Sequence, residues 1–213
     1  MKKCLRLLLW MFSMASLVGC GGMLTSDQPP AHVYWLEAVT LRLGEPPTGD
    51  LPDLVVAVRA IPGLDSDRIL VKGPGARLNH YAGARWPDHL PEIVTVIVRL
   101  SLESSRRFNR VSSGSQIKRT EWSLDLELRE FFAVVTTAGS PPQVHVKLVG
   151  HISCGPGNTP VSAAMTAPAR EDKLAEIIAA FQSATDNALL SLGEQLETHC
   201  FEQQARIEFS IGS

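Results

Sequence analysis

The chain has 213 residues, with 20 Lys and Arg against 22 Asp and Glu, and 45% hydrophobic residues. That length supports one domain with a real core, and the near balance of charge excludes a polybasic nucleic-acid binder. Six histidines are present, none in a His-Glu-x-x-His pattern or another spaced metal motif.

Residues 1–19 read as a targeting segment. Lys2, Lys3 and Arg6 form a positive head, and residues 7–18 are apolar except Ser13 and Ser16. This run is far shorter than the roughly 20 residues that span a bilayer, so it predicts a secretory signal and not a transmembrane anchor. Leu17-Val18-Gly19-Cys20 resembles a bacterial lipobox. Small residues before the cut let a peptidase seat the backbone, and only a thiol after it can carry a thioether-linked diacylglycerol. Cys20 is therefore expected to be the acylated N-terminus of the mature protein and its membrane attachment, with no other cofactor. The alternative is an ordinary signal peptide with a chance cysteine. Cleavage removes three basic residues and no acid, leaving 17 − 22 = −5 on the mature chain.

Of the four cysteines, Cys4 leaves with the signal and Cys20 takes the lipid, so Cys154 and Cys200 remain. In an oxidising envelope compartment two thiols most simply form a disulfide. Zinc held by His151, Cys154, His199 and Cys200 is the sharper alternative, although adjacent residues such as His199 and Cys200 rarely converge on one tetrahedral ion. Free thiols also remain open.

Residues 20–31 are expected to form a lipidated flexible tether, and residues 32–213 the folded domain. Within it, residues 32–39 have aromatic and β-branched strand character, and 43–52 form a Gly/Pro loop. Leu54-Val55-Val56-Ala57-Val58 reads as a strand buried on both faces, stopped by Pro62-Gly63. Residues 68–71 and 76–81 flank Lys72-Gly73-Pro74-Gly75, which predicts a hairpin. From Pro87 to Phe108 strand propensity in Val94-Thr95-Val96-Ile97-Val98 competes with helical length. About twenty residues without glycine favour a helix, with Asp88 as N-cap and an apolar surface all round that demands burial.

Alternation is clear next. Trp122, Leu124, Leu126, Leu128, Phe132 and Val134 are apolar against Ser123, Asp125, Glu127 and Arg129. Val144, Val146, Leu148 and Ile152 alternate with Gln143, His145, Lys147 and His151. This predicts an antiparallel hairpin with one wet face, and 162–166 as a short third strand. Residues 168–199 carry Leu174, Ile177, Ile178, Phe181, Ala184, Ala188, Leu192 and Leu196 at helical spacing. The tail from Ala205 alternates as an edge strand. The expected fold class is an α/β (α+β) sandwich: one mixed, mainly antiparallel sheet with two long helices packed on it.

The run Ala76-Arg-Leu-Asn-His-Tyr-Ala-Gly-Ala-Arg-Trp86, then Asp88, Leu90-Pro91, an apolar helix and Leu102-Glu-Ser-Ser-Arg-Arg-Phe108 resembles the ABC-type transport auxiliary lipoprotein family. The resemblance covers residues 34–199 beyond the lipobox. Pro87-Asp88-His89, Cys154, Cys200 and the strand-like tail depart from the family pattern. The resemblance implies a non-enzymatic subunit working beside an ABC permease, an ATPase and a mammalian-cell-entry (MCE) domain protein, moving phospholipid or other hydrophobic molecules. Gly21 after Cys20, in place of the Asp that commonly retains lipoproteins in the inner membrane, points to the outer membrane, facing the periplasm. Self-association into a docking ring is compatible with this, though no sequence feature shows it.

Tyr81, Arg85 and Trp86 are candidates for the partner interface, with Arg85 as a planar donor. Against this, Trp86 reads more readily as an aromatic packed under the helix it precedes, and Tyr81 as a strand end. A lipid-binding carrier with an apolar groove between sheet and helices is the alternative function. A hydrolase has no supporting motif, since no Gly-x-Ser-x-Gly elbow occurs.

Overall fold

The computed structural model describes residues 31–44, 50–114, 122–137, 139–155 and 157–201. The expected signal, Cys20, the tether and the tail strand from Ala205 lie outside these residues. Among the described residues eight strands form one mixed sheet: β1 (His32–Val33), β2 (Asp53–Ala60), β3 (Arg68–Lys72), β4 (Leu78–Arg85), β5 (Arg110–Ser113), β6 (Trp122–Val134), β7 (Gln143–Ser153) and β8 (Thr159–Pro168). Two long helices, α1 (Leu90–Ser104) and α2 (Leu174–Leu196), pack with the sheet into one hydrophobic core. The expected fold class is the observed one.

β6 is the centre of the sheet. β7 runs antiparallel along one edge of it and β8 continues outward from β7. The other edge is shared: β2 pairs in parallel from Trp122 to Leu128, and β3 pairs in parallel at Ala133 and Val134. β5 extends β2 on its far side, while β4 and then β1 extend β3. The long ladders are antiparallel and the shorter ones largely parallel.

The register of β6 departs from simple alternation. Leu128 pairs with Leu148 but Glu130 pairs with Lys147, so Arg129 is an extra residue on β6. Such a bulge reverses which side chains face the core. Trp122, Leu124, Leu126 and Leu128 point inward before it; Phe131 and Ala133 do so after it, 1% and 0% exposed. The expectation of Phe132 and Val134 on the core face is thus corrected: both are only partly buried, and Phe132 stacks on His145 instead. β7 has no extra residue, and Val144, Val146, Leu148 and Ile152 are buried as alternation requires. Gly150 sits across from Leu126, where a Cβ would overlap the Asp125 carbonyl; no other residue fits there.

Other expectations are corrected too: the helix expected over 168–199 is α2, Leu174–Leu196, because β8 runs on to Pro168 and a wide turn follows from Glu197. The strand expected over 32–39 is only two residues long, because past Val33 the chain leaves the sheet. The N-cap of α1 is His89, not Asp88, whose carboxylate instead accepts the His89 N–H at 2.7 Å. α1 also buries one face only, through Leu90, Ile93, Val94, Ile97, Val98, Ser101 and Leu102, and leaves Leu100 40% exposed. β2 is buried on both faces at Leu54, Val55 and Val56, but Arg59 is exposed. β8 is longer than the short strand expected over 162–166.

Past β1 the chain becomes a strap between the helices. Leu36 and Leu41 are buried. The Val39 and Leu41 N–H groups donate to Ser101 and Ser104 hydroxyls of α1, at 3.1 and 3.0 Å. On the α2 side the Gln182 amide pairs with the Glu37 backbone, and Leu41 and Leu43 come close to Gly193. The strap does with side-chain partners what a strand does with its neighbour: it satisfies backbone groups that would otherwise be half-buried and unpaired.

α2 ends in a wide turn, Glu197–Phe201. Cys200 there is joined by a disulfide to Cys154 just after β7, with Cα atoms 5.7 Å apart. The turn also carries Glu197 to Arg107, a buried guanidinium bonded to it at 2.8 Å and stacked 4.0 Å from the Phe201 ring centre. Phe108 and Trp122 complete this aromatic end of the core.

Candidate docking surface

Of the three residues expected at an interface, the structure separates Trp86 from the other two. Trp86 is 1% exposed and meets Phe131 and Phe181 edge-on, with ring centres 5.9 and 5.4 Å apart. It has no surface to offer a partner, so the packing reading replaces the contact reading. The chain dictates this: Ala84 and Trp86 turn inward from the end of β4 just before α1 begins, and the indole fills the corner between helix and sheet. Arg85, one residue earlier, points outward and pairs with Asp67 at 3.5 Å.

Tyr81 lies between these extremes. Its ring is partly buried, and its hydroxyl has no hydrogen-bond partner among the described residues. Burial, helped by the Asp172 carboxylate, pushes the phenol up to about 12, because the phenolate would have to form away from water.

Beneath Trp86 the layer between sheet and helices is packed, while an open pocket of about 410 Å³ lies between β2 and α1, beside Val56, Val58, Thr95 and Val96. Phe131 and Phe181 stack at 4.9 Å beneath Trp86, and Leu124, Leu126, Leu128 and Leu148 are each 1% exposed or less.

The sheet's other face is the surface left uncovered by α1 and α2. A shallow open groove of about 580 Å³ crosses it, bordered by Arg59, Asp125, Glu127, Arg129, His151 and Ser162. Glu127 pairs with Arg129 at 2.6 Å. Beyond the bulge the same face carries Phe132, with Lys72 5.9 Å from its ring centre. This face is polar, with alternating charges and one aromatic at its margin. The edge of β8 beside it is closed: Gln195 accepts from the Ser162 N–H at 3.1 Å and donates to its carbonyl at 2.9 Å. That amide occupies the place of a further strand and blunts edge-to-edge pairing.

Among the described residues no cluster of His, Cys, Asp or Glu is arranged to hold a metal ion. His151 and Cys154 therefore do not join His199 and Cys200 around zinc; the two cysteines bond to each other. His145 faces Glu130 at 3.6 Å. His89 bonds Asp65 at 2.9 Å, and that hydrogen bond raises its pKa against an opposing desolvation, with the charges of Asp65, Asp88 and Asp67 adding to the rise. These are surface pairs and bring no nucleophile to a base. No helix among the described residues is long and apolar enough to cross a membrane.

The fold is similar to that of a crystallised Xanthomonas campestris protein of the DUF330 family, with a TM-score of 0.69 at 20% identity, covering 82% of this chain and 99% of that one. A second solved structure, of an uncharacterised protein, aligns with a TM-score of 0.56 at 9% identity over 76% of this chain and 99% of that one. No curated protein matches. A family model described as the ABC-type transport auxiliary lipoprotein component matches residues 36–192.

Proposed function

The chain belongs to the ABC-type transport auxiliary lipoprotein family, and from that premise we propose that it is a non-enzymatic docking subunit of an MCE-type transport system, anchored by lipid on Cys20 to the outer membrane and facing the periplasm. The observation that carries this is the family match, which runs from the strap through α2 and so takes in nearly the whole described body.

The geometry gives the role a physical form. Lipid on Cys20 holds the tether, the tether leads into β1, which pairs with β4, and the strap that follows is bonded to both helices. A pull on the anchor is therefore borne first by the sheet edge at β1 and β4, and then by α1 and α2. The uncovered sheet face, polar and groove-bearing, is the side available to the MCE protein, which works with its permease and ATPase on phospholipid or another hydrophobic cargo. The contribution we propose for this subunit is adhesive, and the tight aromatic packing of Trp86, Phe131 and Phe181 supports that reading.

The test is co-purification. A C-terminally tagged protein is extracted from native membranes in mild detergent after light cross-linking, beside a Cys20→Ala control. Recovery of an MCE-domain protein with its permease and ATPase supports the proposal. Recovery of bound lipid without any of the three would overturn it in favour of a carrier.

A further inference from the structure

The edge at which the chain enters the body is unlike the rest of the surface. Val33 and Trp35 are 52% and 59% exposed, while Tyr34 is partly buried and Leu36 is wholly so. Alternate residues thus present an isopropyl group and an indole to the outside. Val33 stands in register with Arg85, and Arg85 with Arg68. Cross-strand partners share a face, so this apolar pair is bordered by two guanidiniums. Asp67 offsets Arg85, the Arg68 guanidinium lies 3.4 Å from the His80 ring nitrogen, and Glu37 is exposed just past the indole.

The length of chain outside the described body bounds how far this edge stands from an anchor at Cys20. Cys20 precedes Ala31 by 31 − 20 = 11 residues, a stretch that reaches no more than about 40 Å when fully extended. With Cys20 acylated, β1 is kept within that distance of a bilayer, at high effective concentration. Indole rings settle at the membrane–water boundary, where the ring is apolar and the N–H wet. Guanidiniums beside them suit lipid phosphates.

We propose that the edge formed by Val33 and Trp35 seats on the bilayer that holds the Cys20 lipid, with the indole at headgroup level and Arg68 and Arg85 toward the phosphates. This is a second membrane contact that fixes how the domain stands on its anchor, and it rests on the acylated Cys20 of the proposed function.

The chain reports on itself. Of its four tryptophans Trp10 lies in the signal, and Trp86 and Trp122 are 1% and 8% exposed. Trp35 is the exposed indole of the mature protein. Mature protein purified from membranes is checked for acyl chains by intact mass, then reconstituted into phosphatidylethanolamine–phosphatidylglycerol vesicles with or without brominated chains. The expected result is a blue-shifted emission, quenching by the brominated lipid, and several-fold protection from acrylamide, all lost in Trp35→Ser. Acylated, vesicle-bound protein whose Trp35 stays open to acrylamide and unquenched by brominated lipid would overturn the seating while leaving the anchor intact. A mass without acyl chains would overturn the anchor reading and the seating with it.

Discussion

Gln182 holds Glu37 with both ends of its amide: the Glu37 N–H donates to Oε1 at 2.8 Å, and Nε2 donates to the Glu37 carbonyl at 2.9 Å. Nε2 also reaches Asp186 one turn along α2, at 2.7 Å. Together with Ser101 and Ser104 of α1, this makes the strap part of the folded body. Two net hydrogen bonds contribute about 1–3 kcal/mol. Gln182→Ala should lower the local opening energy of residues 37–41 by about that amount, read as faster amide exchange there, while exchange in β6 and β7 stays unchanged. Uniform acceleration across the molecule would show the strap to be no separate unit.

Trp86 and Arg85 are neighbours in sequence with opposite jobs. Trp86→Ala empties the space over the stacked pair Phe131 and Phe181 and should cost about 3–5 kcal/mol in denaturant unfolding. Arg85→Ala removes a half-exposed ion pair and should change stability by less than about 1 kcal/mol. Comparable losses from both would contradict the burial of the indole.

Tyr81 should ionise late. The chain has two tyrosines, so phenolate absorbance can be assigned by substitution. With the Tyr81 phenol near 12, part of the absorbance rise should come about two pH units above the ordinary tyrosine value of about 10 and vanish in Tyr81→Phe. Between the unfolded and folded values the native state keeps a proton that the unfolded chain has lost, so stability falls as pH rises through that window. Tyr81→Phe should flatten this alkaline fall.

The disulfide closes a separation of 46 residues, for which the chain-entropy relation gives about 4 kcal/mol. The Cys154→Ser, Cys200→Ser double variant should lose about this much in urea unfolding and become indifferent to reductant. Zinc addition should restore nothing.

How far these features are legible in the sequence depends on where their partners lie. The disulfide is reached by counting thiols once Cys4 and Cys20 are assigned. β7 and α2 are reached by periodicity, since each keeps one unbroken repeat. The bulge at Arg129 is hidden from a reading that runs alternation straight through β6, although the polar pair Arg129-Glu130 before Phe131-Phe132 is where the repeat stumbles. The strap is hidden for a different reason. Its backbone partners are side chains of Gln182, Ser101 and Ser104, distant in sequence, so residues 36–43 read in part as the end of a strand. Trp86 leaves packing and contact both open, because an aromatic ahead of a helix serves either; only the positions of Phe131 and Phe181 decide it.

Docking of an MCE-domain protein on the uncovered sheet face can be probed in intact cells. A photo-crosslinking residue is placed at Glu127 on that face and, as a control, at Leu190, exposed on α2. An adduct with an MCE-domain protein is expected from position 127 and none from position 190. Properly folded, membrane-bound protein that gives no such adduct from the sheet face, or gives it only from α2, would refute the assignment of that face.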